Sequence, residues 1–178
     1  MERFIPARSF DDLRIPLTVT ATDLDTGERV LFGAGGRDVP LADALMASCA
    51  LPLFYPPVVI AGRRMGDGGL RGVLPLELVP RDADRVVAVD IGPGFDELEA
   101  GPSPYPSLLR AHSDATGILM AANTVLELAL WRADPSRPLL YYVRPAVERN
   151  ATFRVERARA YAEEGYRATR VVLGVTGP

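Results

Sequence analysis

An acid followed by two glycines, Asp67-Gly68-Gly69, is the strongest candidate for chemistry in this sequence. A carboxylate accepts protons and hydrogen bonds. Glycine at the next two positions permits unusual φ values and close backbone approach. The tripeptide alone is a common turn, so its setting decides. A strand-like stretch precedes it, and in α/β sheets ligands gather at the carboxyl ends of strands.

Other constellations carry less. His112-Ser113-Asp114 lies in a helical stretch, where neighbouring side chains diverge by about 100°, so the three cannot converge on one atom. Asp25-Thr26-Gly27 is flanked by Asp23 and Glu28-Arg29, which suits a hairpin turn rather than an aspartic-protease core. Gly92-Pro93-Gly94 follows an apolar run, but Glu97 stands where a dinucleotide fingerprint needs its third glycine. Cys49, close to Ala47 and Ala50, reads as a small buried apolar residue.

The elements that must position Asp67 follow from pattern. Residues 15–22 are rich in β-branched types and read as a strand. Asp25-Thr26-Gly27 turns the chain, and 28–32 returns as the second strand of a hairpin. Gly33-Ala34-Gly35-Gly36 is a flexible connector. Pro40 opens a helix over 41–50, which Pro52 ends. A short strand at 58–60, a turn at Gly62 and Arg63-Arg64-Met65 lead into Asp67. Residues 85–90 form a nearly continuous apolar run, as expected of a strand buried on both faces in a parallel sheet. A Pro/Gly-rich loop follows over 92–106. Helices are expected at 107–131 and 155–172, with a strand at 139–143. The first helix is notably apolar, which suits a core element or a wall facing lipid.

Several of these segments together closely resemble the patatin-like phospholipase family. They are Thr20-Ala21-Thr22-Asp23-Leu24-Asp25-Thr26-Gly27, the 47–57 stretch Ala-Ser-Cys-Ala-Leu-Pro-Leu-Phe-Tyr-Pro-Pro, Gly66-Asp67-Gly68-Gly69, Leu74-Pro75-Leu76 and Val86-Val87-Ala88-Val89-Asp90. The resemblance implies the C-terminal portion of a three-layer α/β/α domain with a mixed, mainly parallel sheet. Residues 1–14 would be an irregular N-terminal segment and 15–178 the C-terminal part of one domain. It also implies a lipid acyl hydrolase with a Ser-Asp dyad, in which Asp67 is the base and Gly68 and Gly69 shape its elbow. The alternative is a non-catalytic lipid-binding or structural remnant. The implied partners are a lipid or other acyl-ester substrate and transient contact with a membrane surface; no cofactor is implied.

The departure from the family pattern is equally informative. No Gly-x-Ser-x-Gly occurs, and none of Ser9, Ser48, Ser103, Ser107, Ser113 and Ser136 has that flanking. The chain therefore reads as a domain that begins midway and is inactive alone.

Bulk properties exclude other classes. The chain has 178 residues, 48% of them apolar, enough for a real core. The 20 basic and 23 acidic residues are interspersed, with a net charge of −3, so no basic tract offers itself to nucleic acid. One cysteine and one histidine cannot build a disulfide or a His/Cys zinc site. The N-terminus lacks a secretory pattern, and a cytoplasmic protein is expected.

Overall fold

A computed structural model describes residues 5–92, 107–147 and 154–174. Two compact units divide the chain, one up to Gly72 and one from Val73. The fold is mixed α/β, and each unit has its own sheet and its own apolar core.

The first unit contains β1 (Thr18–Asp23), β2 (Arg29–Gly33), helix α1 (Leu41–Ser48), β3 (Val58–Ile60) and β4 (Arg63–Asp67). Its sheet runs in the order β2-β1-β4-β3, and every pairing is antiparallel. The first strand starts later than its β-branched composition suggests. Pro16 has no N–H to give a ladder, and the pairing begins at Thr18 opposite Gly33. Alternation along β1 and β2 sends Val19, Ala21, Val30 and Phe32 into the core. Helix α1 meets them with Ala44 and Ala47, one helical turn apart. Small residues there let the helix approach the sheet closely.

The same face of β1 ends in a fully buried acid, Asp23. Its Oδ1 accepts the N–H groups of Asp25 at 2.9 Å and Thr26 at 3.2 Å. Its Oδ2 lies 2.7 Å from Arg63 Nε. One carboxylate thus shapes the hairpin turn and ties it to the start of β4. Arg64 repeats the tie, with Nη2 at 2.6 Å from Asp25 Oδ1. Gly27 completes the turn at φ +74°, a left-handed value that suits glycine.

The glycine connector is ordered rather than flexible. Gly33 donates to Arg37 O at 3.1 Å, Gly36 to Gly33 O at 2.8 Å and Ala34 to Leu17 O at 2.9 Å. Glycine is required at Gly33 for a steric reason as well, because a Cβ would collide with the Phe10 ring.

The second unit contains β5 (Arg85–Val89), α2 (Ser107–Ala133), β6 (Leu139–Val143) and α3 (Ala158–Leu173). Strands β5 and β6 pair in parallel, from Arg85 opposite Leu139 to Val89 opposite Val143. A parallel pair needs a long crossover, and the chain between these strands includes α2. Leu128 and Trp131 of α2 pack with Leu74, Leu76 and Ala88. The Trp131 indole donates to Pro138 O at 3.2 Å, which fixes the turn into β6.

Among the described strands the parallel pairing is that of β5 with β6, and the larger sheet is antiparallel. Two expectations are corrected here. Strand β5 is buried on one face only: Ala88 is in the core, whereas Val87 and Val89 are about half exposed. Its uninterrupted apolar sequence came from β-branched residues on both faces, not from cover on both. Helix α2 is likewise one-sided, with Ala121, Thr124, Leu128 and Trp131 buried and Leu119, Val125, Leu126 and Leu130 exposed. The loop expected over 92–106 lies outside the described residues apart from Gly92. Among the described residues, no helix is long and apolar enough to cross a membrane.

The Asp23 clamp yields a test. Asp23→Ala leaves Arg63 without its partner and two turn amides without their acceptor. We expect a loss of roughly 2 kcal/mol in chemical denaturation, the scale of hydrogen bonds to a charged group. A loss below about 0.5 kcal/mol, typical of an ordinary surface substitution, would contradict the clamp.

Candidate active site

Asp67 stands where the sequence places it, as the last residue of β4. It is also the N-cap of a short 3-10 turn, Gly68–Leu70. Its Oδ1 accepts the Gly69 N–H at 2.7 Å. This is the capping arrangement that a short acidic side chain favours.

The backbone of Asp67 is held from two other elements. Its N–H donates to the carbonyl of Ala50, just beyond α1, at 3.0 Å. Its carbonyl accepts the Thr22 hydroxyl of β1 at 2.8 Å. The antiparallel register sets Ala21 opposite Asp67. Helix end, central strand and turn therefore converge on one residue.

The electrostatics leave this carboxylate less comfortable than its neighbours. Partial burial pushes its pKa above the ordinary aspartate range, and the Gly69 N–H opposes the shift. Among the described residues no cation pairs with Asp67, and its Oδ2 accepts no hydrogen bond. One oxygen is committed to the turn and the other is available to take a proton. Such a group can act as a general base when a hydroxyl comes within hydrogen-bond reach.

Gly68 corrects a conformational expectation. It is not left-handed; it opens the 3-10 turn with no positive φ. Close approach is what demands glycine. A Cβ there would stand 2.5 Å from both the carbonyl oxygen and the hydroxyl oxygen of Thr20. Gly69 supplies the N–H that holds Asp67.

Cys49 also differs from expectation. It is exposed at the C-cap of α1 rather than buried. Nearby protein atoms still push its thiol pKa up by desolvation, and the negative charge of Asp67 adds to the rise. A thiol shifted upward is a poor nucleophile at neutral pH. His112 and Asp114 lie on α2, where Asp114 Oδ2 sits 3.7 Å from Arg110 Nε, one turn earlier. Among the described residues, no group of three or more His, Cys, Asp or Glu is placed to hold a metal ion.

Two residues on the site's supporting strand were missed in the sequence. Thr20 packs its backbone against Gly68, and Thr22 holds the Asp67 carbonyl. The signal was present as the alternation Thr18-x-Thr20-x-Thr22, which puts three hydroxyls on one face of a strand.

A substitution tests the close approach at Gly68. Because the obstacle to a Cβ is backbone that cannot swing away, Gly68→Ala should destabilise the protein by about 1–3 kcal/mol, the range for overpacking. Thermal or denaturant unfolding reads this directly. An alanine variant as stable as the parent would show that the elbow has room.

Comparison with known proteins adds a second line. Residues 1–80 match the family described as Patatin-like phospholipase. A stretch of 96 residues is 36% identical to uncharacterized NTE family proteins of Mycobacterium bovis and of two strains of Mycobacterium tuberculosis. The match takes in 53% of this chain and 24% of each relative. The chain thus spans about a quarter of the length of these relatives. Over its first 80 residues, which contain Asp67 and the strands that hold it, the chain is similar to the patatin-like phospholipase family.

Proposed function

We propose that this chain contributes the general base of a serine-dependent lipid acyl hydrolase, with Asp67 in that role. The observation that carries the reading is the state of Asp67: part-buried, raised in pKa, with one oxygen held by Gly69 and the other without a hydrogen bond among the described residues. An ordinary carboxylate, with a pKa of about 4, is a weak base for an alcohol. Desolvation raises its proton affinity, and direct contact with the hydroxyl couples proton transfer to attack.

In the proposed step a serine hydroxyl gives its proton to Asp67 as its oxygen bonds to the ester carbonyl. The tetrahedral intermediate collapses, and the alcohol leaves with that proton. Water then attacks the acyl-serine carbonyl and gives a proton to Asp67; as the second intermediate collapses, the fatty acid leaves and that proton passes from Asp67 to the serine oxygen, which restores both groups. Main-chain N–H donors would steady the oxyanion, a contribution of about 3 kcal/mol per donor. Gly68 and Gly69 shape the elbow. The serine must come from a Gly-x-Ser-x-Gly segment, which this sequence does not contain.

Within this reading the chain is the C-terminal portion of a three-layer α/β/α domain with a mixed, mainly parallel sheet. The substrate is a lipid or other acyl ester, met in the cytoplasm with transient contact at a membrane surface. Exposed Leu53 and Tyr55, in the segment that follows Ala50, support such contact. The second reading, a non-catalytic lipid-binding or structural remnant, draws on the lack of a Gly-x-Ser-x-Gly in this sequence.

The test uses a polypeptide that carries both an upstream elbow and residues 1–178, assayed on nitrophenyl esters and a phospholipid. Asp67→Asn should cut turnover by about 100-fold or more, the range for a lost general base. Turnover within about tenfold of the parent, in a folded variant, would overturn the base assignment. Residues 1–178 alone should show no hydrolysis above an Asp67→Asn blank. Activity there that vanishes in the variant would mean that one of the chain's own serines is the nucleophile.

A further inference from the structure

Thr22 is buried in β1, and its hydroxyl reaches across 45 residues of sequence to the carbonyl of Asp67 at 2.8 Å. The ladder does not require this bond, since Thr22 itself pairs with Gly66 and Asp67 pairs with Ala21. A valine would fill the same space without the hydroxyl.

The bond acts on a particular peptide plane. The Asp67 carbonyl lies in the rigid plane joining residues 67 and 68. That plane opens the 3-10 turn, and the turn aims the Gly69 N–H back at Oδ1. Rotating the plane would move the Gly69 N–H away from the carboxylate. The β-branched side chain of Thr22 is stiff at χ1, so its hydroxyl is a firm anchor. The opposite side of the residue is already fixed, because the Asp67 N–H is committed to Ala50. Thr20 lines the space beside Gly68, where a Cβ would stand 2.5 Å from its carbonyl and hydroxyl oxygens.

We infer that Thr22 is a positioning residue: its bond to the Asp67 carbonyl sets the plane that presents the carboxylate at the end of β4. The inference rests on the reading of Asp67 as the base, and its test does not depend on turnover.

Amide exchange of residues 1–178 provides that test. Thr22→Val keeps the shape and removes the hydroxyl; Thr22→Ser keeps the hydroxyl and removes the methyl. In Thr22→Val the Gly69 amide should exchange about tenfold faster, the scale of one lost hydrogen bond. The core amides of Phe32 and Met65 should keep their parental rates. Thr22→Ser should return Gly69 to its parental rate. An unchanged Gly69 in Thr22→Val overturns the inference. So does an equal acceleration of Gly69, Phe32 and Met65, because that is the mark of a merely structural residue. If Thr22→Val does not fold, Thr22→Ser decides: a parental Gly69 rate supports the inference and a faster one overturns it. Turnover that survives in Asp67→Asn would overturn the base reading whatever the Gly69 rates. A Gly69 rate unmoved by Thr22→Val would overturn this inference with the base reading intact.

Discussion

The antiparallel register of β1 against β4 governs the first unit. With Ala21 opposite Asp67, the Thr22 hydroxyl reaches the Asp67 carbonyl and Thr20 meets Gly68. A slip of one residue would turn every side chain of the strand to the other face. Val19 and Ala21 would leave the core, and the hydroxyls would leave the site. The register is pinned beyond the strands as well. Asp23 and Asp25 grip Arg63 and Arg64 at the far end of the same pairing. Packing at one end and ion pairs at the other therefore specify where the candidate base stands.

Three acids illustrate how environment assigns roles. Asp23 is fully buried; its Oδ1 accepts two amides and its Oδ2 is ion-paired with Arg63. Asp90, at the end of β5, is buried too. It accepts from Gly92 N–H at 2.9 Å, Tyr142 hydroxyl at 2.6 Å and Arg144 Nη1 at 2.8 Å. Both carboxylates have arginine beside them and are fastened by it. Among the described residues, Asp67 has a single amide on one oxygen, and partial burial acts on its charge without a compensating cation. An acid that structure fully employs is a poor candidate for catalysis. One held in position yet incompletely satisfied is a good one. The Tyr142 phenol, pushed up first by burial and next by its bond to Asp90, belongs to the fastened kind.

Much of this was legible in the sequence because it depends on local pattern. The hairpin around Asp25-Thr26-Gly27, the Pro40 helix, the 58–60 strand and the place of Asp67 at a strand end all follow from turn chemistry and periodicity. What escaped depends on partners distant in sequence. Nothing near Gly68 announces that Thr20 lies against it, so its glycine suggested a strained φ rather than a close contact. Thr22 looked like one β-branched residue among several until its bond to residue 67 was visible. Val87 and Val89 suggested two-sided burial because apolar composition does not say which face is covered. Cys49 misled for a related reason: its alanine neighbours do not say that position 49, at the helix end, faces solvent.

The central claim is that burial leaves Asp67 with raised proton affinity while its position stays fixed. The direct measurement is an NMR titration of the Asp67 carboxyl carbon in residues 1–178, assigned by its absence in Asp67→Asn. A raised folded-state pKa means that the protonated form is favoured by folding. The stability this group contributes is then fully present below its unfolded pKa and is lost as pH rises through the folded value. The account predicts a midpoint clearly above the ordinary value of about 4. A midpoint at or below that value would show a well-solvated or well-partnered carboxylate and would contradict the account.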